Sequence, residues 1–214
     1  MSIVMSQPSS SPQKRRRLPA AEAREIILDS ATSLLKERGV HALKLVEIAK
    51  AAGMGHSSVL HHFNTVDALH EALIVHIAEK LTDEVASLVN QSFPRPHQDS
   101  VTKKLFSLYA EGQYSKLFAW AILSNRTIPT ATLRNQLART IELISSQIVA
   151  FDYDEKEATI LARRGIHLLL ATAIGNGLLN PIENQLFEDD PAFDIGRWLH
   201  EMLIDQYFSS RMKS

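Results

Sequence analysis

Between Gly53 and Phe63 the chain reads GMGHSSVLHHF. Helical spacing puts His56, Ser57, Ser58 and His61 on one side of a short helix and Val59 and Phe63 on the other. Imidazoles and hydroxyls both donate and accept hydrogen bonds. Grouped on one exposed face, they suit contact with base edges or phosphate oxygens. A core helix seldom carries such a face. Just upstream, Leu45, Ile48 and Ala49 form the apolar side of another short helix, and Gly53 ends it. Two short helices across a sharp turn are what a helix-turn-helix needs to set its second helix in a DNA major groove.

Other chemistry fits these residues less well. His56, His61, His62 and His70 lack a compact ligand spacing and have no carboxylate among them, whereas zinc wants three or four converging ligands. His70-Glu71 and His200-Glu201 begin like a helical zinc-protease motif, but Ile74 and Ile204 stand where the second histidine must be. Both pairs read as surface residues. The chain has no cysteine, which excludes disulfides, thiolate chemistry and cysteine-based zinc sites. No nucleophile–base pattern is present, so neither an enzyme nor a metal or other cofactor is expected.

The basic run Lys14, Arg15, Arg16 and Arg17 closes a Ser/Pro/Gln-rich stretch. Arginines on a mobile arm suit a narrow minor groove. A solubilising tail is an equal reading. Charge is uneven along the chain: residues 1–66 hold nine Lys/Arg against five Asp/Glu, and the remainder fourteen against nineteen. A basic head on an acidic body suits polyanion binding at one end.

The elements that must hold these residues are helical throughout. A first helix is expected from about Pro19 to Arg38, with Ala23, Ile27, Ala31, Leu34 and Leu35 as its apolar stripe and Gly39 as its stop. After the helix-turn-helix, Leu69, Leu73, Ile77, Leu81, Val85 and Leu88 keep three-to-four spacing in a long helix from about Val66 to Asn90. One or two helices are expected over Ser100 to Ser124, another from Pro129 with Leu133, Leu137, Ile141, Ile144 and Ile148 in register, and a long one from Asp154 to Leu179. An acidic loop is expected from Pro181 to Pro191. A last helix, about Ala192 to Tyr207, carries Ile195, Trp198, Leu199, Met202 and Leu203 on one side. No strand alternation or internal repeat is evident.

Gly39, Ile48, Ala49, Ala52, Gly53, Val59, His62, Phe63 and Leu69 match the pattern of the tetracycline-repressor (TetR) family of bacterial transcriptional regulators, which residues 20 to 70 resemble. The departures are Gly55 in place of a capping serine, Lys44 in place of a capping threonine, Leu60 in place of a DNA-reaching tyrosine and Val66 in place of a phosphate-binding lysine. The resemblance implies an all-α dimer with a DNA-binding head and a helical effector-binding and dimerisation body. The corresponding divisions are a flexible basic arm at 1–18, a head at 19–66 and a body at 67–214. Expected DNA contacts are Arg15, Arg16, Arg17, Lys44, Gly55, His56, Ser57, Ser58, His61 and His62. The expected partners are double-stranded operator DNA, a small-molecule effector and a second copy of the chain, with repression relieved by the effector. The alternative is a helical ligand-binding protein or enzyme on the same scaffold without sequence-specific DNA binding.

Polar and aromatic residues of the body, Tyr109, Phe118, Trp120, His167 and Asn176, are candidates to line an effector pocket, or else ordinary core with satisfied polar groups. The helix around Ile166 to Ile174 is apolar nearly all round, so it needs burial on both sides. A bundle centre or a dimer interface shared with the last helix would supply that, and Gly165, Ala171 and Gly175 would allow close helix approach. No signal-peptide core or membrane-length apolar run is seen, so a cytoplasmic protein without membrane partners is expected.

Overall fold

The computed structural model describes residues 18–92, 104, 107, 108, 113–186 and 195–207. Helix α1 (Ala20–Arg38) follows Pro19, whose fixed φ suits a helix start. It ends where Gly39 takes φ 73° and donates its N–H to the Leu35 carbonyl at 2.9 Å. Ala23, Ile27, Ala31, Leu34 and Leu35 are buried along one side, as their spacing requires. A 3-10 turn (Val40–Ala42) leads into α2 (Leu45–Ala51) and α3 (His56–Phe63).

The turn between α2 and α3 has a specific cause. Gly53 sits at φ 65°, a left-handed conformation costly for residues with a Cβ. This lets Gly53 N–H reach the Lys50 carbonyl (3.1 Å) and Met54 N–H the Ala49 carbonyl (2.9 Å), so the last carbonyls of α2 are satisfied. Ile48 of α2 and Val59 of α3 are both fully buried in one core cluster, and burial of each contributes about 1.5–3 kcal/mol.

Helix α4 (Val66–Ser92) leaves the head and runs into the body. There follow α5 (Tyr114–Leu123), α6 (Thr130–Val149), α7 (Glu155–Leu186) and α8 (Ile195–Tyr207). Helices α6 and α7 form an antiparallel hairpin, with the Ser145 and Thr159 hydroxyls bonded at 3.2 Å. Asp154 caps α7 by accepting the Lys156 and Glu157 N–H groups, each at 3.0 Å. Helix α6 also packs on α4, and α7 takes α5 and α8. One apolar cluster joins the two ends of the molecule, from Ile27, Ile48 and Phe63 through Leu73 and Ile77 to Leu117, Ala173 and Leu199. No described residue is in a strand. No helix among the described residues is long and apolar enough to cross a membrane.

The structure departs from the expectation in the body. Helix α7 does not stop at Leu179 but continues through Pro181 to Leu186. Proline removes one backbone donor, a local loss that an established helix tolerates by continuing its bonding on either side. Leu137 is not a core residue of α6 but lies exposed beside α7. Trp198 does not share the burial of Leu199 and is 58% exposed. Leu168, Leu178, Leu179 and Ile182 form an exposed apolar stripe on α7, with Ala171 in line among them. A Cβ added at Gly165 or Gly175 would meet nothing within 4 Å among the described residues, so neither glycine serves a close helix approach within the chain.

Candidate nucleic-acid interface

Helix α3 is held from beneath and left open above. Val59 and Phe63, 0% and 3% exposed, anchor it in the core. His56, Ser57, Ser58 and His61 are exposed together, as their spacing requires. His62 is half-buried, with its ring edge-on to that of His61 at 5.6 Å. Gly55 and Lys44 stand at the N-cap positions of α3 and α2, both exposed, and neither supplies a side-chain cap. A glycine has no side chain to give, and an ammonium cannot accept a bond. The first-turn N–H groups of both helices are thus not occupied by a cap, and point where an anion would be favoured. Leu60 is half-buried and Val66 likewise, so both face partly inward. Arg15, Arg16 and Arg17 lie outside the described residues.

The far end of α3 is clamped by a residue that pattern reading passes over. Arg24, on α1, donates to the His62 carbonyl, and its guanidinium lies 4.2 Å from the centre of the Phe63 ring. A cation at a helix C-terminus meets both the free carbonyls and the negative end of the dipole. Arg38 reaches across from the end of α1 to Glu47 on α2 at 2.7 Å, and its hydrogen bond and charge hold the Glu47 carboxyl below its ordinary range.

A second cluster ties this head to the body. His70, on α4, is 4% exposed, contrary to its reading as a surface residue. Its Nε2 lies 2.9 Å from the carbonyl oxygen of Leu43, two residues before α2. A carbonyl only accepts, so Nε2 carries the proton. In the neutral ring this leaves Nδ1 to accept from Arg126 at 3.1 Å. Arg126 also pairs with Asp67 on the first turn of α4 and lies 4.8 Å from the Trp120 ring centre. Trp120 stands edge-on to His70 at 5.1 Å.

Arg126 is aimed there by the end of α5. Asn125 takes φ 49°, so Asn125 N–H meets the Ile122 carbonyl and Arg126 N–H the Ala121 carbonyl. Burial, partly offset by the Leu43 carbonyl, together with the Arg126 charge, holds the His70 imidazole below its ordinary pKa. On the other side of α4, Asp29 accepts from Lys80 (2.5 Å) and His76 (2.9 Å), tying α1 to α4. Burial works to raise the Asp29 carboxyl, but these two partners outweigh it and hold it below its ordinary range.

The candidate effector residues are not gathered into one cavity by the described residues. Tyr109 lies outside them. Phe118 and Trp120 pack against the main core. His167 lines a half-open groove of about 960 Å³ between α6 and α7, with Arg134, Leu137, Ile141 and Arg163. Asn176 is half-buried farther along α7 and does not line that groove. No three His, Asp or Glu side chains come together as metal ligands among the described residues.

Residues 27–73, which span α1 to α4, match the family model of bacterial regulatory proteins of the tetR family. Over 111 residues the chain is 32% identical to the HTH-type transcriptional regulator Mb3439c of Mycobacterium bovis, a stretch covering 49% of this chain and 58% of that protein. It is 31% identical over 86 residues to the HTH-type transcriptional regulator AlkX of Mycobacterium tuberculosis, covering 38% of this chain and 41% of that one. The matched part thus spans little more than half the length of the first of these relatives and less than half that of the second. The fold of the reduced form of Escherichia coli NemR is similar, with a TM-score of 0.62 at 14% identity over 86% of this chain and 97% of NemR. A putative transcriptional regulator from Pseudomonas aeruginosa gives a TM-score of 0.61 at 15% identity, covering 92% of this chain and 96% of that one. The segment that carries α2 and α3 thus matches the tetR family of bacterial regulatory proteins, and the chain shares the helical fold of these solved structures.

Proposed function

We propose that the chain is a dimeric, DNA-binding transcriptional regulator, a repressor released when a small molecule binds its body. The observation that carries this reading is the exposed His56, Ser57, Ser58 and His61 face of α3, fixed from below by Val59 and Phe63 and at its end by Arg24. A rigid helix that spends its apolar residues on anchoring and its polar ones on solvent is built to meet a groove. Lys44 and Gly55 flank it and would meet phosphates, and Arg15, Arg16 and Arg17 would extend the contact along the backbone. The names of the relatives, among them an HTH-type transcriptional repressor of Mycobacterium tuberculosis, support the same reading.

Two heads must bind successive major grooves, about 34–36 Å apart. The apolar stripe of α7 would supply the face for a second copy, and Trp198 on α8 is likewise exposed. The body would release DNA by favouring a head spacing that misses the grooves, which requires an effector with different affinity for the two states. Helix α4 is the lever, since it carries His70 at the head and packs on α6 in the body. The reading is tested by mobility shift on fragments of a bacterial genome with excess random competitor. Retention of a small set of fragments is expected; no retention, or equal retention of all fragments, would refute it.

A further inference from the structure

Gln136 is the most anomalous polar residue of the body. It lies on the second turn of α6 and is 3% exposed, yet neither its Oε1 nor its Nε2 meets a hydrogen-bond partner among the described residues. Thr140, one turn on, is also buried, but its hydroxyl bonds to the backbone carbonyl of Gln136 (3.3 Å) rather than to the side chain. A primary amide brings two donors and acceptor lone pairs, and burial without partners costs the desolvation of each. Leucine or methionine would fill similar space without that cost. Such a group calls for a partner beyond the chain's own packing.

The direction of the residue follows from the helix. Helix α6 packs on α7 and on α4. The side towards α7 carries the groove residues Arg134, Leu137, Ala138 and Ile141. At 3.6 residues per turn Gln136 stands roughly 100–160° round from them, which turns it towards the side of α4. The buried residues of α4 are mostly apolar: Leu69, Leu73, Ile74, Ile77, Leu81, Leu88 and Val89. Its two buried histidines already have partners, His70 in Leu43 and Arg126, and His76 in Asp29. Gln136 itself brings no charge, so a charged ligand would be left uncompensated there.

We propose that Gln136 anchors a small-molecule site between α4 and α6, for a neutral, largely apolar ligand that presents a donor beside an acceptor, as an amide or an undissociated carboxylic acid does. The amide of Gln136 meets such an edge with two parallel hydrogen bonds. A ligand entering this seam displaces α4, the helix that carries the head. The proposal rests on the effector reading above and gives that effector its chemistry.

The test uses the full chain with hexanamide as probe and 2-heptanone, which accepts but does not donate, as control. Millimolar hexanamide should raise the melting temperature of the native protein by about 2–4 °C, and 2-heptanone by much less. Gln136→Met should melt above the native protein without ligand and lose the hexanamide response. The side-chain amide resonance of Gln136 should also shift with hexanamide, a readout that does not depend on the variant folding. A Gln136→Met protein that melts lower and keeps the hexanamide response would overturn the proposal, as would an unmoved Gln136 resonance; the amide would then be met by ordered water only. Hexanamide binding at Gln136 in a protein that retains no DNA fragments would refute the regulator reading while supporting the site.

Discussion

At the level of single residues, the face of α3 was legible because it obeys one rule. Helical spacing separates Val59 and Phe63 from His56, Ser57, Ser58 and His61, and the structure buries the first pair and exposes the other four. Replacing His56 with alanine should therefore remove a groove contact without touching the fold. A loss of about 1–3 kcal/mol is expected on the preferred sequence, with discrimination relaxed at the contacted base. Fluorescence anisotropy on preferred and point-mutated duplexes measures it, and unchanged relative affinities would show that this face reads no bases.

His70 was not legible. It sits beside the apolar stripe of Leu69 and Leu73, and its partners lie 27 and 56 residues away. No local pattern announces contacts that only the fold creates. Its depressed pKa has a consequence with a definite sign. The unfolded chain takes up a proton near the ordinary value of 6.5, but the folded one only at lower pH, so the unfolded state binds more protons in between. Stability is present above about pH 6.5 and is lost as pH falls through the folded value. His70→Gln, which cannot titrate, should lose less stability than the native protein between pH 7.5 and pH 5.5. Urea midpoints at the two values decide it, and equal losses would clear His70 of any part in acid sensitivity.

Among the elements, α1 to α4 were readable almost to the residue, since their limits are set by local chemistry: proline at the start of α1, then Gly39 and Gly53 at positive φ. The body was readable in kind but not in extent. Asn125 ends α5 as a glycine would, in the left-handed conformation, and only the fold shows that this turn delivers Arg126 to the head. Pro181 was an honest stop signal that α7 overrides, because one missing donor does not undo a long helix. The clamp on α3 belongs to this scale. Arg24→Met removes a charged donor at the end of α3 and a cation over the Phe63 ring, while keeping the aliphatic stem. A loss of about 1–3 kcal/mol is expected. Amides of α3 should exchange faster than those of α1, and affinity should fall on every DNA sequence alike. Unchanged exchange in α3 would mean that its packing on Val59 and Phe63 alone holds it.

For the molecule as a whole, the apolar band near Ile166 to Ile174 demanded cover on two sides, and spacing alone left open whether a bundle centre or a second subunit provides it. Among the described residues one side of the helix is covered within the chain and the other is open. Ala173 faces the core at 1% exposure, while Leu168, Ala171, Leu179 and Ile182 face outward, and Trp198 on α8 is exposed as well. An exposed stripe of large apolar residues on a small subunit marks a contact surface. The open space around Gly165 and Gly175 leaves room there for a second backbone. We expect a homodimer whose α7 stripes meet across a two-fold axis. Ala171→Arg would put an unpaired charge into that contact, where burial costs several kcal/mol, so dissociation should strengthen by at least about 100-fold. Because Ala171 is exposed within one subunit, helix content by circular dichroism should be retained in the variant. Leu179→Glu should act the same way for the same reason. Sedimentation of the native protein at micromolar concentration should show a dimer, and both variants should sediment as monomers. A native monomer, or variants that remain dimeric, would place the subunit contact elsewhere, and the stripe would then need another partner.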